Sequence, residues 1–301
     1  MKSLQNVNKK ENLLSLNDIV TFDQLELKAK NIVEGFISGL HKSPHHGFSV
    51  EFVQHKSYTP GDEIRNLDWR VYARTDRWYI KQFEEETNTQ IMLACDLTGS
   101  MDYGTEIKKS RILAELTASL TWLALRQNDA VGALFFSNDG YVYLPPSSKP
   151  VQFKNIVKIL VAPKYSAYGS VSDCLRMATA RLKKRGIFVF LSDFLESEKI
   201  LEAMEQIIFK NHELILFNIY SPEEEIFPFK GMIKFIDLET KSEIIADAGI
   251  IRPLYLEKRN NFIKNLKQWA VKHKVDFVDF ATTDHPNEIL RKYLIKRLSF
   301  K

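Results

Sequence analysis

Short apolar runs alternate with segments of helical periodicity over the last two thirds of the chain. Apolar runs bounded by turn or charged residues predict buried strands, here at residues 90–96, 129–137, 186–192, 213–220 and 275–281. Apolar residues at helical spacing predict helices at residues 106–126, 150–161, 171–184, 197–210, 254–273 and 286–298. Strands that alternate with helices predict an α/β fold, in which a mostly parallel sheet carries helices on both faces.

The remaining segments predict two hairpins and a smaller N-terminal part. Residues 141–145 are expected to pair with the strand before them, and residues 231–237 and 243–248 to form an inserted hairpin. In the N-terminal part, apolar spacing predicts a helix over residues 13–40 and strands over 71–73 and 78–83. We therefore expect an N-terminal helix and β segment, residues 1–85, packed on an α/β domain of residues 86–301, because so short a segment buries little surface alone.

Composition narrows the class of protein. The chain has 301 residues, is 45% hydrophobic and carries a net charge of only +4, which does not favour a nucleic-acid-binding protein. No signal peptide or run of about 18 apolar residues is present, so we expect no membrane span and a cytoplasmic location. Cys95 and Cys174 both fall in predicted core elements, where they are expected to be buried free thiols.

Oxygen-bearing side chains follow two of the predicted strands. Asp96, Thr98 and Ser100 come at alternate positions where the first buried strand ends, and Asp193 follows a later one. Ser170 lies on the Gly-started turn between these two strands. Because the carboxyl ends of parallel strands share one edge of a sheet, these five side chains are expected to meet there. Carboxylates and hydroxyls suit a hard cation, so they predict a Mg²⁺ (or Mn²⁺) site.

The five residues resemble the metal-ion-dependent adhesion site of von Willebrand factor A domains. That site uses an Asp-x-Ser-x-Ser motif, a Thr on a second loop and an Asp on a third. Here Thr98 stands where Ser is usual and Ser170 where Thr is usual, and both exchanges keep the oxygen donor. The resemblance implies a von Willebrand A-like fold and a cation with one open position that a partner's Asp or Glu completes. Helix capping by the same Asp and Ser residues is the alternative structural explanation.

A second cluster of Arg, Asp and aromatic residues lies in the turn-rich segment before the first buried strand. Pro60-Gly61 suits a tight turn, and Arg–Asp pairs with a Trp commonly attach an irregular segment to a sheet. The cluster is therefore either structural or a surface that binds a partner. It comprises Tyr58, Asp62, Arg65, Asp68, Trp69, Arg70 and Arg74.

The two clusters together resemble the domain of unknown function 58 family. The resemblance rests on Tyr-x-Pro-Gly-Asp-x-x-Arg-x-x-Asp-Trp, Ala-Arg-Thr and Asp-x-Thr-x-Ser-Met, and it covers residues 35–200. Genes of this von Willebrand A-like family usually neighbour MoxR-type AAA+ ATPases. The resemblance implies a non-catalytic adaptor that works with such an ATPase on an acidic client, in the maturation of complexes or insertion of metal cofactors.

A phosphatase-like hydrolase is the main alternative. Asp96 at a strand end would be its nucleophile, but that chemistry needs a second carboxylate two residues later, where the chain has Thr98. The sequence also lacks a Gly-x-x-x-x-Gly-Lys-[Ser/Thr] loop, so we expect any ATP hydrolysis to come from a partner. A cluster of histidines, His41, His45, His46 and His55, matches no zinc spacing and is better explained as surface residues.

Overall fold

A computed structural model of the protein describes residues 22–41, 55–57, 72–74, 78–81, 89–165, 170–182, 184–195, 197–238 and 240–299. The described residues fall into two compact units. One contains those up to Phe36 together with those from Thr89 onward, and the other contains those between Ile37 and Asn88. The predicted boundary between residues 85 and 86, and the packing of the N-terminal segment on the sheet, stay predictions.

The smaller unit contains a two-stranded sheet. Strand β1 (His55–Ser57) pairs antiparallel with β2 (Tyr79–Lys81). Between them, residues 72–74 form one helical turn, so the predicted strand over 71–73 is wrong at Tyr72 and Ala73. The ring of Tyr72 packs against Trp78 with 4.5 Å between ring centroids, a contact that a turn permits between side chains six residues apart.

The larger unit is built on a six-stranded sheet that confirms the predicted α/β class and its mostly parallel pairing. Its spatial order is β10-β7-β6-β3-β4-β5, and all neighbouring pairs are parallel except β4 with β5. The strands are β3 (Gln90–Asp96), β4 (Ala130–Ser137), β5 (Gly140–Ser147), β6 (Gly186–Ser192), β7 (Glu213–Tyr220) and β10 (Asp276–Ala281). The inserted hairpin, β8 (Met232–Ile236) with β9 (Glu243–Asp247), is also present.

Helices cover both faces of this sheet. The described helices of the chain are α1 (Phe22–His41), α2 (Lys109–Arg126), α3 (Val151–Val161), α4 (Val171–Arg181), α5 (Ser197–Phe209), α6 (Pro222–Ile226), α7 (Ala248–Lys272) and α8 (Pro286–Ser299). Alternate residues of each central strand face opposite sides, so Leu93 and Cys95 pack toward α2 and α8, whereas Met92 and Ala94 pack toward α4 and α5. Both faces are apolar because both are covered, which explains the continuous apolar runs in the sequence.

Both cysteines are free and buried, as predicted. Burial raises the pKa of the Cys95 thiol to about 12 and that of Cys174 to about 11. The two thiols therefore stay protonated at neutral pH and act as small apolar core side chains.

Helix α7 begins six residues before its predicted start at residue 254. Asp247 caps it by accepting a hydrogen bond from the Gly249 amide at 2.7 Å, and Pro253 lies inside the helix rather than in front of it. The predicted start comes directly after Pro253, but the cap begins the helix earlier, and Ala248 belongs to the helix rather than to β9.

The order of the strands determines where a ligand can reach the sheet. From β3 the chain continues to β4 and β5 on one side, and then crosses to β6, β7 and β10 on the other side. Ligands bind α/β sheets at such a reversal, outside the carboxyl ends of the strands. The carboxyl ends of β3 and β6 lie side by side here, because these two strands pair in parallel register.

Candidate metal centre

The Asp96 carboxylate lies at the carboxyl end of β3 and is only 5% exposed. Its Oδ1 accepts hydrogen bonds from the Thr98 amide at 2.9 Å and from Thr98 Oγ1 at 2.7 Å. Its Oδ2 accepts one from Ser192 Oγ at 2.5 Å, which joins the ends of β3 and β6. Thr98 Oγ1 is also 3.1 Å from Ser100 Oγ, so one carboxylate and three hydroxyls form a connected cluster of oxygen atoms.

Burial raises the pKa of Asp96 from 3.8 to about 6, and the nearby charge of Asp193 raises it further in the same direction. The hydrogen bonds from Ser192 and Thr98 oppose this shift without cancelling it. The ionised form of Asp96 is therefore destabilised by its surroundings, and a bound cation would favour it.

Asp193 directly follows β6, and its carboxylate forms an ion pair with Lys109. Its Oδ2 accepts a hydrogen bond from the Lys109 ammonium at 2.7 Å, and its Oδ1 accepts one from the Leu195 amide at 3.3 Å. The backbone turns at Phe194, which lies between Asp193 and Leu195 and has a φ of 55°. The Phe194 ring packs 5.0 Å from Phe190 in the core, and this burial stabilises an uncommon backbone conformation next to the candidate site.

Lys109 is the first residue of α2 and its side chain is fully buried. Its ammonium lies 2.7 Å from Asp193 Oδ2 and 2.7 Å from Glu224 Oε1. Burial alone would lower the pKa of Lys109, but the charges of Asp193 and Glu224 outweigh burial and raise it above its ordinary value. The ammonium is therefore a permanent positive charge at neutral pH.

Sequence reasoning missed both Lys109 and Glu224. Glu224 belongs to the short helix α6, where its second carboxylate oxygen accepts a hydrogen bond from the Ser221 amide at 2.7 Å. Ser221 followed three residues later by a Glu is the pattern of a capping box, so α6 could have been found from the sequence. Nothing in the sequence distinguishes Lys109 from the solvated lysines near it.

Ser170, the fifth predicted site residue, caps helix α4 in this structure. Its hydroxyl donates to Asp173 Oδ2 at 2.7 Å and accepts a hydrogen bond from the Asp173 amide at 3.2 Å. Both contacts make Ser170 the N-cap of α4, which is the alternative explanation for a Ser at this kind of position. The structure therefore groups Asp96, Thr98 and Ser100 directly, with Asp193 as their charged neighbour.

The other predicted cluster is mostly beyond what the structure describes. Arg74 is exposed in the helical turn of the smaller unit. The rest lie outside the described residues: Tyr58, Asp62, Arg65, Asp68, Trp69 and Arg70.

The donor set at Asp96 fits Mg²⁺ better than a transition metal. Within the described residues, no three His, Cys, Asp or Glu side chains are grouped to hold a metal. Mg²⁺ is commonly bound through only one or two carboxylates and keeps several waters, so it does not need such a group. Asp96, Thr98 and Ser100 would hold it, with Asp193 close enough to influence the Asp96 charge.

A cleft of about 390 Å³ opens beside Thr98. Its walls combine apolar side chains with the charged side chains of Asp102, Glu106, Lys108 and Arg111, and they do not include Asp96 or Asp193. Asp96 and Thr98 are both buried, whereas Ser100 is half-buried, so Ser100 is the most accessible member of the oxygen cluster.

The loop before α2 depends on Gly104, which has a φ of 135°. A Cβ atom there would overlap the Ile107 carbonyl oxygen. We expect Gly104→Ala to lower the free energy of unfolding by about 1–3 kcal/mol in chemical denaturation. Gly231→Ala is the matched control, because Gly231 also has a positive φ, 71°, but a Cβ there meets no atom within 4 Å. Equal losses for both variants would show that the close contact at Gly104 is relieved without cost.

In the parts of the chain that the structure describes, no helix combines the length and apolar character needed to cross a membrane.

Relatives of this chain occur in mycobacteria. It is 26% identical over 259 residues to uncharacterized proteins of Mycobacterium tuberculosis and Mycobacterium bovis, a match covering 84% of this chain and 77% of each relative. Among solved structures, it is similar to the conserved hypothetical protein BatB from Bacteroides thetaiotaomicron, with 14% identity, a TM-score of 0.45 and coverage of 70% of this chain and 99% of that one. A second is an aerotolerance-related membrane protein from Bacteroides fragilis, with 14% identity, a TM-score of 0.46 and coverage of 71% and 100%.

The family described as "Protein of unknown function DUF58" matches residues 54–261, a span that includes both sequence clusters and every side chain of the candidate metal centre. Because this span is more than two thirds of the length of the chain, the chain belongs to the DUF58 family.

Proposed function

We propose that this protein is a non-catalytic, von Willebrand A-like adaptor whose Asp96 site holds Mg²⁺ or Mn²⁺ and binds an acidic residue of a partner protein. The observation that carries the proposal is the oxygen cluster at the carboxyl ends of β3 and β6, where Thr98 and Ser192 both donate to a buried Asp96. When bound, the cation would supply an electrophilic position for a carboxylate oxygen. Asp96 supplies the charge that holds it, and Thr98 and Ser100 supply neutral oxygens.

Two features support binding rather than hydrolysis at this site. Thr98, at the position where a phosphatase of the alternative type needs a general acid, donates its hydroxyl proton to Asp96 and has no proton of suitable pKa to give a leaving group. The nearest other carboxylate, Asp193, is paired with Lys109. We expect no release of phosphate from generic phosphomonoesters in the presence of Mg²⁺, and turnover that disappears in Asp96→Asn would favour the hydrolase instead.

Isothermal titration calorimetry with Mg²⁺ and Mn²⁺ tests the metal site. We expect binding by the native protein and a loss of at least about tenfold in affinity for Asp96→Ala, because the variant removes the charged ligand. Ser170→Ala is the matched control: its hydroxyl already bonds Asp173, so we expect its affinity to stay within about threefold of the native value. Absence of binding by the native protein would contradict the proposal.

The partner is proposed to be a MoxR-type AAA+ ATPase, acting in the cytoplasm on an acidic client. Membership of the DUF58 family supports this choice, because genes of that family usually neighbour those of such ATPases. The half-buried Ser100 is where a partner's side chain can approach the oxygen cluster. Association between the purified protein and a MoxR-type ATPase from the same genome should be weaker for Asp96→Ala than for Ser170→Ala. Comparing the two variants at one Mg²⁺ concentration separates this effect from the ATPase's own need for Mg²⁺.

A further inference from the structure

Lys109 places a fixed positive charge inside the candidate metal centre. The side chain is 0% exposed, and its ammonium contacts two carboxylates, Asp193 at 5% and Glu224 at 15% side-chain exposure. These contacts join the start of α2 to the end of β6 and to α6, which are far apart in the sequence. The arrangement is thus built by the tertiary fold and is not a surface ion pair.

The positive charge is shared unequally among the three acidic side chains of the site. Asp193 and Glu224 each contact the ammonium, whereas Asp96 accepts hydrogen bonds from the hydroxyls of Thr98 and Ser192 and from the Thr98 amide. Within the described part of the chain, no Lys, Arg or His forms an ion pair with Asp96. Asp96 is therefore the carboxylate left for a bound cation.

We propose that Lys109 is a positioning residue that keeps Asp193 from ligating the metal directly, so that Asp96 is the single carboxylate ligand and the cation stays receptive to a partner's carboxylate. This inference rests on the metal-binding function proposed above. It explains why an adhesion-type site keeps a second acidic residue and yet has a buried lysine bonded to it.

The net charge of the metal-loaded site determines how easily a partner's carboxylate can bind. With Lys109 in place, three carboxylates, one ammonium and one divalent ion are together neutral, and a partner's carboxylate can approach without net repulsion. Removing the ammonium would make the same loaded cluster negative. The negative cluster would then attract the cation more strongly and repel an added carboxylate, so the cation would bind more tightly and the carboxylate more weakly.

The test compares Mn²⁺ and Mg²⁺ affinities of four purified full-length proteins by calorimetry: native, Lys109→Met, Glu224→Gln and the double variant. We expect Lys109→Met to bind at least about tenfold more tightly than the native protein, because a neighbouring positive charge is removed and Asp193 is released. Glu224→Gln keeps Lys109 on Asp193 and removes a negative charge, so we expect its affinity to be equal or lower. The double variant should bind more tightly than Glu224→Gln.

A second measurement distinguishes this role from a merely structural one. Mn²⁺ affinity is measured in sodium acetate and in sodium chloride of the same ionic strength, with acetate as the probe for a carboxylate partner. Acetate should strengthen Mn²⁺ binding to the native protein and should strengthen it less, or not at all, in Lys109→Met. A lysine that only held the fold together would lower metal affinity on removal and would leave the acetate effect unchanged.

The measurements distinguish a failure of the role proposed for Lys109 from a failure of the proposed metal site. If the native protein binds metal but Lys109→Met, with unchanged circular dichroism, binds equally or more weakly, the role of Lys109 is wrong and the metal site stands. If Lys109→Met does not fold, the comparison of the double variant with Glu224→Gln decides in the same way. If no protein of the four binds either metal, the proposed metal function is wrong and this inference falls with it.

Discussion

Replacing Lys109 with methionine is expected to lower the free energy of unfolding, in EDTA at neutral pH, by about 3–5 kcal/mol. The substitution leaves Asp193 and Glu224 next to each other in a buried site without the ammonium that both contact at 2.7 Å. Breaking a buried ion pair by removing one partner costs more than the pair itself contributes, because the remaining charges stay desolvated. Urea denaturation followed by circular dichroism measures the loss.

The neighbouring lysine provides the control for this experiment. Lys108 pairs with Asp102 at 2.9 Å, but the two side chains are 26% and 55% exposed. Water screens such a pair, so Lys108→Met is expected to change the free energy of unfolding by less than about 1 kcal/mol. If the two variants lost the same small amount, Asp193 and Glu224 would have to be solvated or protonated once Lys109 is gone.

Adding metal should restore part of the free energy of unfolding that Lys109→Met loses. The released Asp193 carboxylate and Asp96 would then share a divalent ion, and a ligand that binds only the folded state stabilises it in proportion to its affinity. The variant is therefore expected to gain more stability from Mg²⁺ than the native protein does. An equal gain in both would agree with the metal site but not with the role proposed for Lys109.

The second large effect concerns Asp96. In EDTA at pH 8, Asp96→Asn is expected to raise the free energy of unfolding by about 2 kcal/mol. The shift of the Asp96 pKa from 3.8 to about 6 corresponds to a cost of about 3 kcal/mol for the ionised form. Loss of the hydrogen bond from Ser192 Oγ, which an Asn amide nitrogen cannot accept, takes back about 1 kcal/mol of the gain.

The pH dependence of this gain follows from the direction of the pKa shift. The folded-state pKa of Asp96 lies above the unfolded value, so its contribution to stability is fully present below pH 3.8 and is lost as the pH rises through about 6. The asparagine variant has no such loss. Its advantage should therefore be largest above pH 7 and smaller at pH 5, which urea denaturation at the two pH values would show.

The same substitution should have the opposite effect when metal is present. Saturating Mg²⁺ stabilises the native protein through the charge of Asp96, and Asp96→Asn lacks that charge. Asp102→Asn is the control for a carboxylate on the nearby surface, since its side chain is 55% exposed and should change little in either condition. A loss of stability for Asp96→Asn in EDTA at pH 8 would mean that the fold requires the ionised carboxylate even without a cation.

The chain's local patterns were sufficient to predict most of its regular structure. The central strands are buried on both faces, so they appear in the sequence as unbroken apolar runs, and β3, β6 and β7 have the predicted bounds. The errors came where a local cap or turn competes with an apolar pattern, as at Asp247 before α7 and at the helical turn of residues 72–74.

The grouping of the three central residues of the candidate site was also predictable from their spacing in the sequence. Asp96, Thr98 and Ser100 are two residues apart at the end of one strand, so their mutual contacts need only that strand and the turn after it. Ser170 shows the limit of such reasoning. A Ser before a helix can bond the amide three residues later, and this short-range contact with Asp173 forms whatever lies farther away.

The amino-acid sequence by itself therefore determined the α/β class, most of the strands and helices, the burial of both cysteines and the grouping of Asp96 with Thr98 and Ser100. Only the tertiary structure decided the electrostatics around that group, because Ser192 bonds Asp96 from β6 and Lys109 joins the neighbouring Asp193 to Glu224. A lysine that is fully buried between two acids has the same sequence signature as one in water. Its effect depends on desolvation and on distances that exist only after β6, α2 and α6 have packed together.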